Sequence, residues 1–599
     1  MCGIIGYTGE DEALPIVATG LKNLEYRGYD SAGIALANES MAIYKQSGAI
    51  DDLTLPDSSP ATCGIGHTRW STHGRPTDEN AHPHTDCTGD IAVVHNGIIE
   101  NYDALKAELS EHTFTSATDT EVIPHLLEET LPTEATLQDA VETVIDRLEG
   151  SFAFGVVTAD SDHIVAARQD SPLVIGRGGT GNFIASDVTA FLDHTQNVTY
   201  VKDGDVVEVT PTDVAIRNDG EAVDRPIETV EWEADAAEKG GYEHYMLKEI
   251  HEQPQSLRQT LSGRIDELNA EADLDLSLPE EYLNSLEEIQ IIACGTSYHA
   301  GRYAKELFEE YADVRTSVEI ASEYTVGGGR DPWRTLVVAI TQSGETADTL
   351  SALRRANRAN ARTLAVTNTL GSTVTREADD SVFIRAGPEI GVAATKTFAS
   401  QVATLSLLAV TLGQGRATLP SETASAILSN LRGLPGAVQQ ILDREEQIRA
   451  AAEEYGNGDA FFFIGRQLGF PVALEGALKL KEISYDHAEG FAAGELKHGP
   501  LALVTPETPV LAVLTEGARP EETLNNVKEV ESRGAPVLGV TSRPETAKYL
   551  DVTFEIPDLG MLEPLVANVV FQLFAYHVAN MKGRAIDKPR NLAKSVTVE

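Results

Sequence analysis

Basic residues are scarce in this chain. It carries 46 Lys and Arg against 93 Asp and Glu, a formal net charge of -47, and the acids are spread over every region rather than gathered in a tail. Such a surface excludes nucleic acid and anionic membranes as partners, because it repels both. It suits a salt-rich cytoplasm, where self-repulsion is screened within about 3 Å at 1 M salt. Cysteine is scarce too: Cys2, Cys63, Cys87 and Cys294 in 599 residues make no disulfide scaffold, and no C-x-x-C pair suggests zinc. No apolar run approaches the roughly 18 residues needed to span a bilayer. The N-terminus lacks the basic and apolar regions of a signal peptide. The expectation is a soluble, cytoplasmic protein without a cofactor.

What is present begins at Met1-Cys2-Gly3-Ile4-Ile5-Gly6. If Met1 is removed, Cys2 carries a thiol and an α-amine on one residue, and the amine, with an ordinary pKa of roughly 8, can act as the base that activates the thiol. On position alone the alternative stays open that Cys2 is a small residue opening a buried strand.

The length predicts roughly three to four domains. Residues 2–220 alternate short strands with helices at 13–24, 102–109, 121–129 and 137–148, which favours an α+β sandwich over a doubly wound sheet. The acidic stretch 221–245 lacks a period and reads as a linker, followed by a helical stretch over 245–268. Beyond it, buried apolar strands alternate with helices in two copies, 281–420 and 452–590. Gly295 to Gly465 spans 170 positions, Thr341 to Thr515 spans 174 and Thr367 to Thr541 spans 174. The pattern implies two α/β domains with parallel sheets.

Several clusters carry chemistry. Thr341-Gln342-Ser343-Gly344-Glu345-Thr346 sits where a buried strand turns into a helix and, with Thr296 and Ser297 at the neighbouring strand end, suits a phosphate. The alternative is a capped turn in which Ser343 or Thr346 merely satisfies the helix end. The second copy places Glu516 in that position, so one sugar phosphate per chain is expected. Glu475, Lys479 and Glu482 share a helix face, usually a solvated ladder, but here leading into a glycine-bounded loop with His498. A carboxylate and an imidazole beside a sugar phosphate could move protons between adjacent carbons. Lys594, in the tail 591–599, is an amine that could condense with a ketone.

In the first half, Arg69 could clamp a carboxylate, Asn96 with the Gly97 N–H could hold an oxyanion, and Asp119 could pair with an ammonium or only cap a helix. His67, His73, His82, His84 and His95 match no zinc spacing, so no metal is expected there.

Together these motifs resemble the isomerising glutamine-fructose-6-phosphate aminotransferases, the glucosamine-6-phosphate synthases, over essentially the whole chain. Cys2-Gly3-Ile4, Glu25 through Gly33, His95-Asn96-Gly97 and Thr118-Asp119-Thr120 resemble the family's four-layer N-terminal-nucleophile glutaminase domain. Gln342 through Thr346, Gly494 through Pro500 and Pro589 through Glu599 resemble its paired sugar-isomerase (SIS) domains.

The resemblance implies roles. Cys2 attacks the glutamine amide, Asn96 and Gly97 form the oxyanion hole, and Arg69, Thr72, His73 and Asp119 hold glutamine. Trp70 gates an ammonia channel. Thr296, Ser297, Thr341, Gln342, Ser343, Thr346, Val392 and Ala593 hold fructose 6-phosphate. His498 opens the furanose ring, Lys594 forms a Schiff base at C2 and Glu482 shuttles the C1–C2 proton. In the family that histidine serves a neighbouring subunit, which implies a homodimer. Thr341 and Ala394 stand where the family usually has serine; the first keeps its hydroxyl, and Ala394 is left out of the site. Two rivals remain: a phosphoribosylpyrophosphate amidotransferase, whose acidic-aliphatic pyrophosphate motif is missing, and a non-catalytic sugar-phosphate sensor, which has no need of Cys2, Glu482, His498 and Lys594 together.

Overall fold

The computed structural model describes residues 2–25, 30–69, 77–169, 171–230, 239, 241–266, 269–276, 278–326 and 331–597. Two compact units divide the chain: Met1–Glu238 together with Ala593–Glu599, and Lys239–Leu592.

In the first unit, two antiparallel sheets stack face to face. The eight-stranded sheet runs Glu228–Thr229, Asn197–Tyr200, Val174–Arg177, Gly181–Ala185, Gly3–Gly9, Cys63–Arg69, Ser31–Ala37, Ala42–Ser47. The seven-stranded sheet runs Glu221–Ala222, Val214–Asn218, Asp205–Val209, Ile164–Gln169, Gly150–Thr158, Ile91–Ile99, His84–Thr85. Ile4, Ile65, Val94, Ala153, Ile164 and Ile184 fill the space between them. The helix Ala13–Asn23 covers the first sheet, while Tyr102–Glu108, Val122–Thr130 and Leu137–Ile145 pack against the outer face of the second around Val93, Leu126, Val141 and Phe154. The result is the helix-sheet-sheet-helix layering expected of the nucleophile fold. The central strands Gly3–Gly9, Ser31–Ala37 and Cys63–Arg69 are buried along their whole length, between the facing sheet and the covering helix, and the glycines, threonines and histidines among them make this half read as short, interrupted apolar runs.

The predicted linker over 221–245 needs correction at its start, because Glu221–Ala222 pairs with Val214–Asn218 and Glu228–Thr229 pairs with Asn197–Tyr200. Their exposed acidic side chains hid two-residue edge strands, which are held by backbone bonds and need no apolar face. Residues 231–238 lie outside the described set.

The second unit holds two five-stranded parallel sheets with the same order. The first runs Arg315–Ile320, Glu288–Ala293, Thr335–Ile340, Arg362–Thr367, Asp380–Phe383, and the second Ala488–Ala492, Phe461–Gly465, Val510–Leu514, Val537–Thr541, Val552–Glu555. The three matched strand pairs seen in the sequence are the central three of each sheet. The outer strands are short or polar.

One helix, Gly560–Met581, does have the length and apolar character of a membrane span, with a mean hydropathy of 1.3, contrary to the expectation from the sequence. It is a core element, with 94% of its apolar window buried, and it carries Asn568, Gln572 and His577 among its apolar residues.

Candidate active sites

Cys2 immediately precedes the strand Gly3–Gly9, which lies inside the eight-stranded sheet between Cys63–Arg69 and Gly181–Ala185. The Ile4 N–H donates to Ser186 Oγ at 2.9 Å, pinning the strand's first turn of register. Cys2 therefore does open a strand, yet it is half-buried rather than part of the core.

Asn96 and Gly97 lie on Ile91–Ile99, paired with Ala153 and Phe152 of Gly150–Thr158. Asn96 Nδ2 donates to the Cys2 carbonyl oxygen at 3.1 Å. Gly97 has φ +125°, and a β-carbon there would collide with the Ser151 carbonyl oxygen, so glycine is required for the strand to turn its N–H this way.

His67, which the sequence offered only as a rejected metal ligand, orients Asn96. Its Nε2 faces the His95 carbonyl at 2.9 Å and Asn96 Oδ1 at 3.1 Å. Both are acceptors, so Nε2 carries the proton, and the amide NH₂ of Asn96 is left pointing at Cys2. Burial, reinforced by the Arg69 charge, pushes the His67 pKa down to about 3 and keeps the ring neutral. His82 stacks on it with ring centroids 4.1 Å apart, His84 bonds Thr118 Oγ1 at 3.0 Å, and His95 Nδ1 bonds Thr120 Oγ1 at 2.8 Å. Burial lowers the pKa of all three.

Arg69 ends the strand Cys63–Arg69 and is buried. Burial lowers its pKa, while Cys2, Asp119 and Asp30 act the other way. Asp119 is buried and accepts the Ile99 N–H at 2.8 Å. It is thus tied to the strand of Asn96 and Gly97 and is not a plain helix cap. Trp70, Thr72 and His73 lie outside the described residues, as do residues 26–29 of the resemblance motif.

In the second unit, Thr341 through Thr346 connect Thr335–Ile340 to the helix Ala347–Arg358. Thr346 makes no side-chain cap bond to that helix; its hydroxyl instead meets Thr341 Oγ1 at 2.8 Å. Ser343 Oγ accepts the Glu345 N–H at 3.2 Å. Gly344 sits at φ +74°, where a β-carbon would strike Ser372. Ser297 Oγ, at the start of Gly295–Tyr311, accepts from Gln401 Nε2 at 3.0 Å.

The shared face of Glu475, Lys479 and Glu482 on the helix Gly469–Ser484 is not solvated. Glu475 and Lys479 are fully buried, and Lys479 Nζ lies 3.4 Å from Glu475 and 2.7 Å from Glu482. Glu475 Oε1 accepts from Thr296 Oγ1 at 2.9 Å, and its other oxygen meets His299 Nδ1 at 2.7 Å. Burial alone would raise the Glu475 pKa, but Lys479, His299 and Thr296 outweigh it and hold the group below its ordinary range. Burial likewise works against the Lys479 charge, yet Glu482 and Glu475 push its pKa up to about 12. A charged ladder from the second copy therefore ends on Thr296 of the first. Sequence reasoning missed His299, although it lies one helical turn from Thr296.

The equivalent strand end of the second copy is filled from within. The Glu516 N–H and the Ser542 hydroxyl both donate to Glu563 Oε2 at 2.7 Å, and burial raises the pKa of that carboxyl. An internal carboxylate thus occupies donors at this strand end, whereas the matching position of the first copy, Asn368, donates its side-chain amide to the Gly387 carbonyl at 2.7 Å.

Val392 is buried and donates its N–H to the Asp587 carbonyl at 3.1 Å, while the Asp587 carboxylate caps Tyr245 and Met246 at 2.9 Å each. His498 is exposed at the end of the turn Ala493–His498 and, among the described residues, has no hydrogen bond or ion pair to the Glu475–Lys479–Glu482 ladder. Ala593 and Lys594, both half-buried, belong to the unit that carries Cys2.

A model described as a glutamine amidotransferase domain matches residues 67–193, and one described as an SIS domain matches twice, at 282–411 and 458–581. The chain is 62% identical over 601 residues to a glutamine-fructose-6-phosphate aminotransferase (isomerizing) of Halobacterium salinarum, with 100% of each chain covered. The chain belongs to the isomerizing glutamine-fructose-6-phosphate aminotransferase family. A member from Methanosarcina acetivorans is 49% identical, again over 100% of each chain. Among solved structures, the C-terminal domain of the Francisella tularensis glucosamine-fructose-6-phosphate aminotransferase superposes with a TM-score of 0.55 at 37% identity, covering 59% of this chain and 99% of that one.

Proposed function

We propose that the chain converts D-fructose 6-phosphate and L-glutamine to D-glucosamine 6-phosphate and L-glutamate, the entry step to amino sugars. The observation that carries this is the full-length identity, which spans the nucleophile half and both SIS copies at once. Neither a phosphoribosylpyrophosphate amidotransferase nor a bare sugar-phosphate sensor would share both.

In this reading Cys2, after loss of Met1, gives its thiol proton to its own α-amine and attacks the glutamine amide carbon. Asn96 Nδ2 and the Gly97 N–H take the oxyanion, the C–N bond breaks, ammonia leaves with the proton, and water later cleaves the thioester to glutamate. Arg69 and Asp119 hold the glutamine carboxylate and ammonium. Thr72 and His73 complete that pocket, and Trp70 gates the ammonia path.

On the sugar side, Thr296, Ser297, Thr341, Gln342, Ser343 and Thr346 hold the phosphate and neighbouring hydroxyls, and the family resemblance assigns Val392 and Ala593 to the same substrate. His498 opens the ring, Lys594 condenses with the C2 ketone and loses water, and ammonia displaces the lysine. Glu482, paired with Lys479 at 2.7 Å, carries the proton from C1 to C2. The exposed His498 supports a homodimer in which it serves a second copy. Charged metabolites as substrates and thiols without disulfides support a cytoplasmic location.

The test is incubation with fructose 6-phosphate and either glutamine or ammonium. Glucosamine 6-phosphate is expected from both donors, and from ammonium alone in Cys2→Ala. No product with either donor overturns the reading, and a Lys594→Ala variant with full synthase activity overturns the Schiff-base role.

A further inference from the structure

Away from the proposed glutamine site, three segments of the first unit bring four metal-binding side chains to one point. Cys87 lies in the loop between His84–Thr85 and Ile91–Ile99, His112 follows the helix Tyr102–Glu108, and His125 and Glu128 lie one turn apart on Val122–Thr130. Cys87 Sγ is 3.5 Å from His112 Nδ1 and 3.7 Å from His125 Nδ1. Glu128 Oε2 is 3.1 and 3.4 Å from the same two nitrogens. All four donor atoms fall within 4.8 Å of one another.

Those spacings are the edges of a coordination tetrahedron. Zinc holds thiolate sulfur at about 2.3 Å and imidazole nitrogen or carboxylate oxygen at about 2.0–2.1 Å, which sets sulfur-nitrogen edges of about 3.5 Å and nitrogen-oxygen edges of about 3.3 Å. Hydrogen bonding alone serves the cluster poorly. The single Cys87 S–H faces two imidazole nitrogens, and both rings present the same atom, Nδ1, to one carboxylate oxygen, Glu128 Oε2, which already accepts the Cys87 backbone N–H at 3.0 Å. A cation satisfies all four lone pairs together.

The surroundings fit as well. His112 Nε2 lies 3.3 Å from Glu129 Oε1, the carboxylate-histidine pairing that orients metal-bound rings, while His125 Nε2 is 4.0 Å from Glu121 Oε1, beyond hydrogen-bond reach. Phe114 meets the His125 ring edge-on at 4.7 Å and closes the apolar side.

We propose that Cys87, His112, His125 and Glu128 bind one zinc ion in a closed structural site. Four protein ligands leave no open position for substrate water. Binding displaces the thiol proton of Cys87 to solvent. One sulfur and two imidazoles select zinc over magnesium or calcium, which prefer oxygen alone. The ion would tie the loop after His84–Thr85 to both ends of the segment 112–128, on which Asp119 lies.

The experiment uses the full chain in molar KCl, stripped with chelator, reloaded with Zn²⁺ or Co²⁺ and gel-filtered. Wild type is expected to retain about one zinc per chain and, with Co²⁺, to show tetrahedral d–d bands and a thiolate charge-transfer band. Cys87→Ser, at an exposed position, is expected to lose that band and at least tenfold in affinity. Glu129→Gln is expected to weaken binding by roughly 10-fold with the band intact. The acidic surface binds divalent ions loosely, and the Cys87→Ser protein measures that background. Zinc retention equal in wild type and Cys87→Ser, or a six-coordinate cobalt spectrum without the thiolate band, overturns the proposal.

Discussion

His67 fixes the direction of the Asn96 amide, and it does so as a neutral ring. A His67→Phe variant keeps the ring but loses the N–H, so Asn96 is released to rotate. Loss of an oxyanion donor costs about 10²–10³ in kcat, and a fall of that order is expected in glutamine-dependent synthesis, with ammonium-dependent synthesis retained. The same burial makes the first unit acid-sensitive. With a folded pKa of about 3 against roughly 6.5 unfolded, His67 contributes stability that is complete above about pH 6.5 and is lost as the pH falls toward 3. A pH titration of near-UV circular dichroism is expected to show the loss beginning on the acid side of neutrality. The role of His67 was not legible in the sequence, since a histidine next to His95-Asn96-Gly97 in space is 28 positions away in the chain. Asn96 and Gly97 were legible as candidate oxyanion donors, an amide beside a glycine that permits close backbone approach, although they lie within the strand Ile91–Ile99 rather than at a turn. At the other site, Lys479 stands between two carboxylates. Lys479→Met leaves both without a cation, one of them fully buried, and is expected to cost about 3–5 kcal/mol of stability, measured as a lower unfolding midpoint in denaturant at constant salt.

At the scale of elements, the strand-to-helix turn from Thr341 to Thr346 was read correctly because a continuous apolar run stops abruptly at hydroxyls and glycine. Its depth of constraint was not legible, since Ser372, which limits Gly344, comes from another loop. Gly344→Ala forces a β-carbon into Ser372 at a positive φ, and it is expected to raise the KM for fructose 6-phosphate by more than tenfold while glutamine hydrolysis continues, in separate assays of the two half-reactions. The helix Gly469–Ser484 teaches the opposite lesson. Its charged face was visible at i, i+4 and i+7, but a Glu-Lys-Glu stripe ordinarily faces water, and nothing local says that Thr296 and His299 cover it. Edge strands such as Arg315–Ile320 and Ala488–Ala492 escaped because half-exposed residues give no apolar run. The Gly560–Met581 helix shows the limit of counting: polar residues at 568, 572 and 577 interrupt the run in sequence, yet its hydropathy suffices for a span.

For the molecule as a whole, charge outweighs any single contact. A net charge of -47 is repulsive over about 10 Å at 0.1 M salt but only about 3 Å at 1 M. Surface ion pairs such as Lys22–Asp51 at 2.6 Å contribute little and are themselves weakened by salt. The expected balance is a thermal midpoint that rises steeply between about 0.1 and 1 M KCl, followed by far-UV circular dichroism; a midpoint that falls over that range would mean ion pairs dominate. The paired copies and the nucleophile half were legible from repetition and from Cys2. The Cys87 cluster was not, because its donors come from three segments with no metal-binding spacing. The carboxylate of Glu563, seated on the donors of Glu516 and Ser542, also bears on ancestry. Duplicated units start with equal obligations, and once one copy stoppers its own cleft its strand ends are freed from ligand selection. That copy could then be recruited as a supplier of the Glu475–Lys479–Glu482 helix, and inheritance at the two turns is expected to be strict in one copy and permissive in the other.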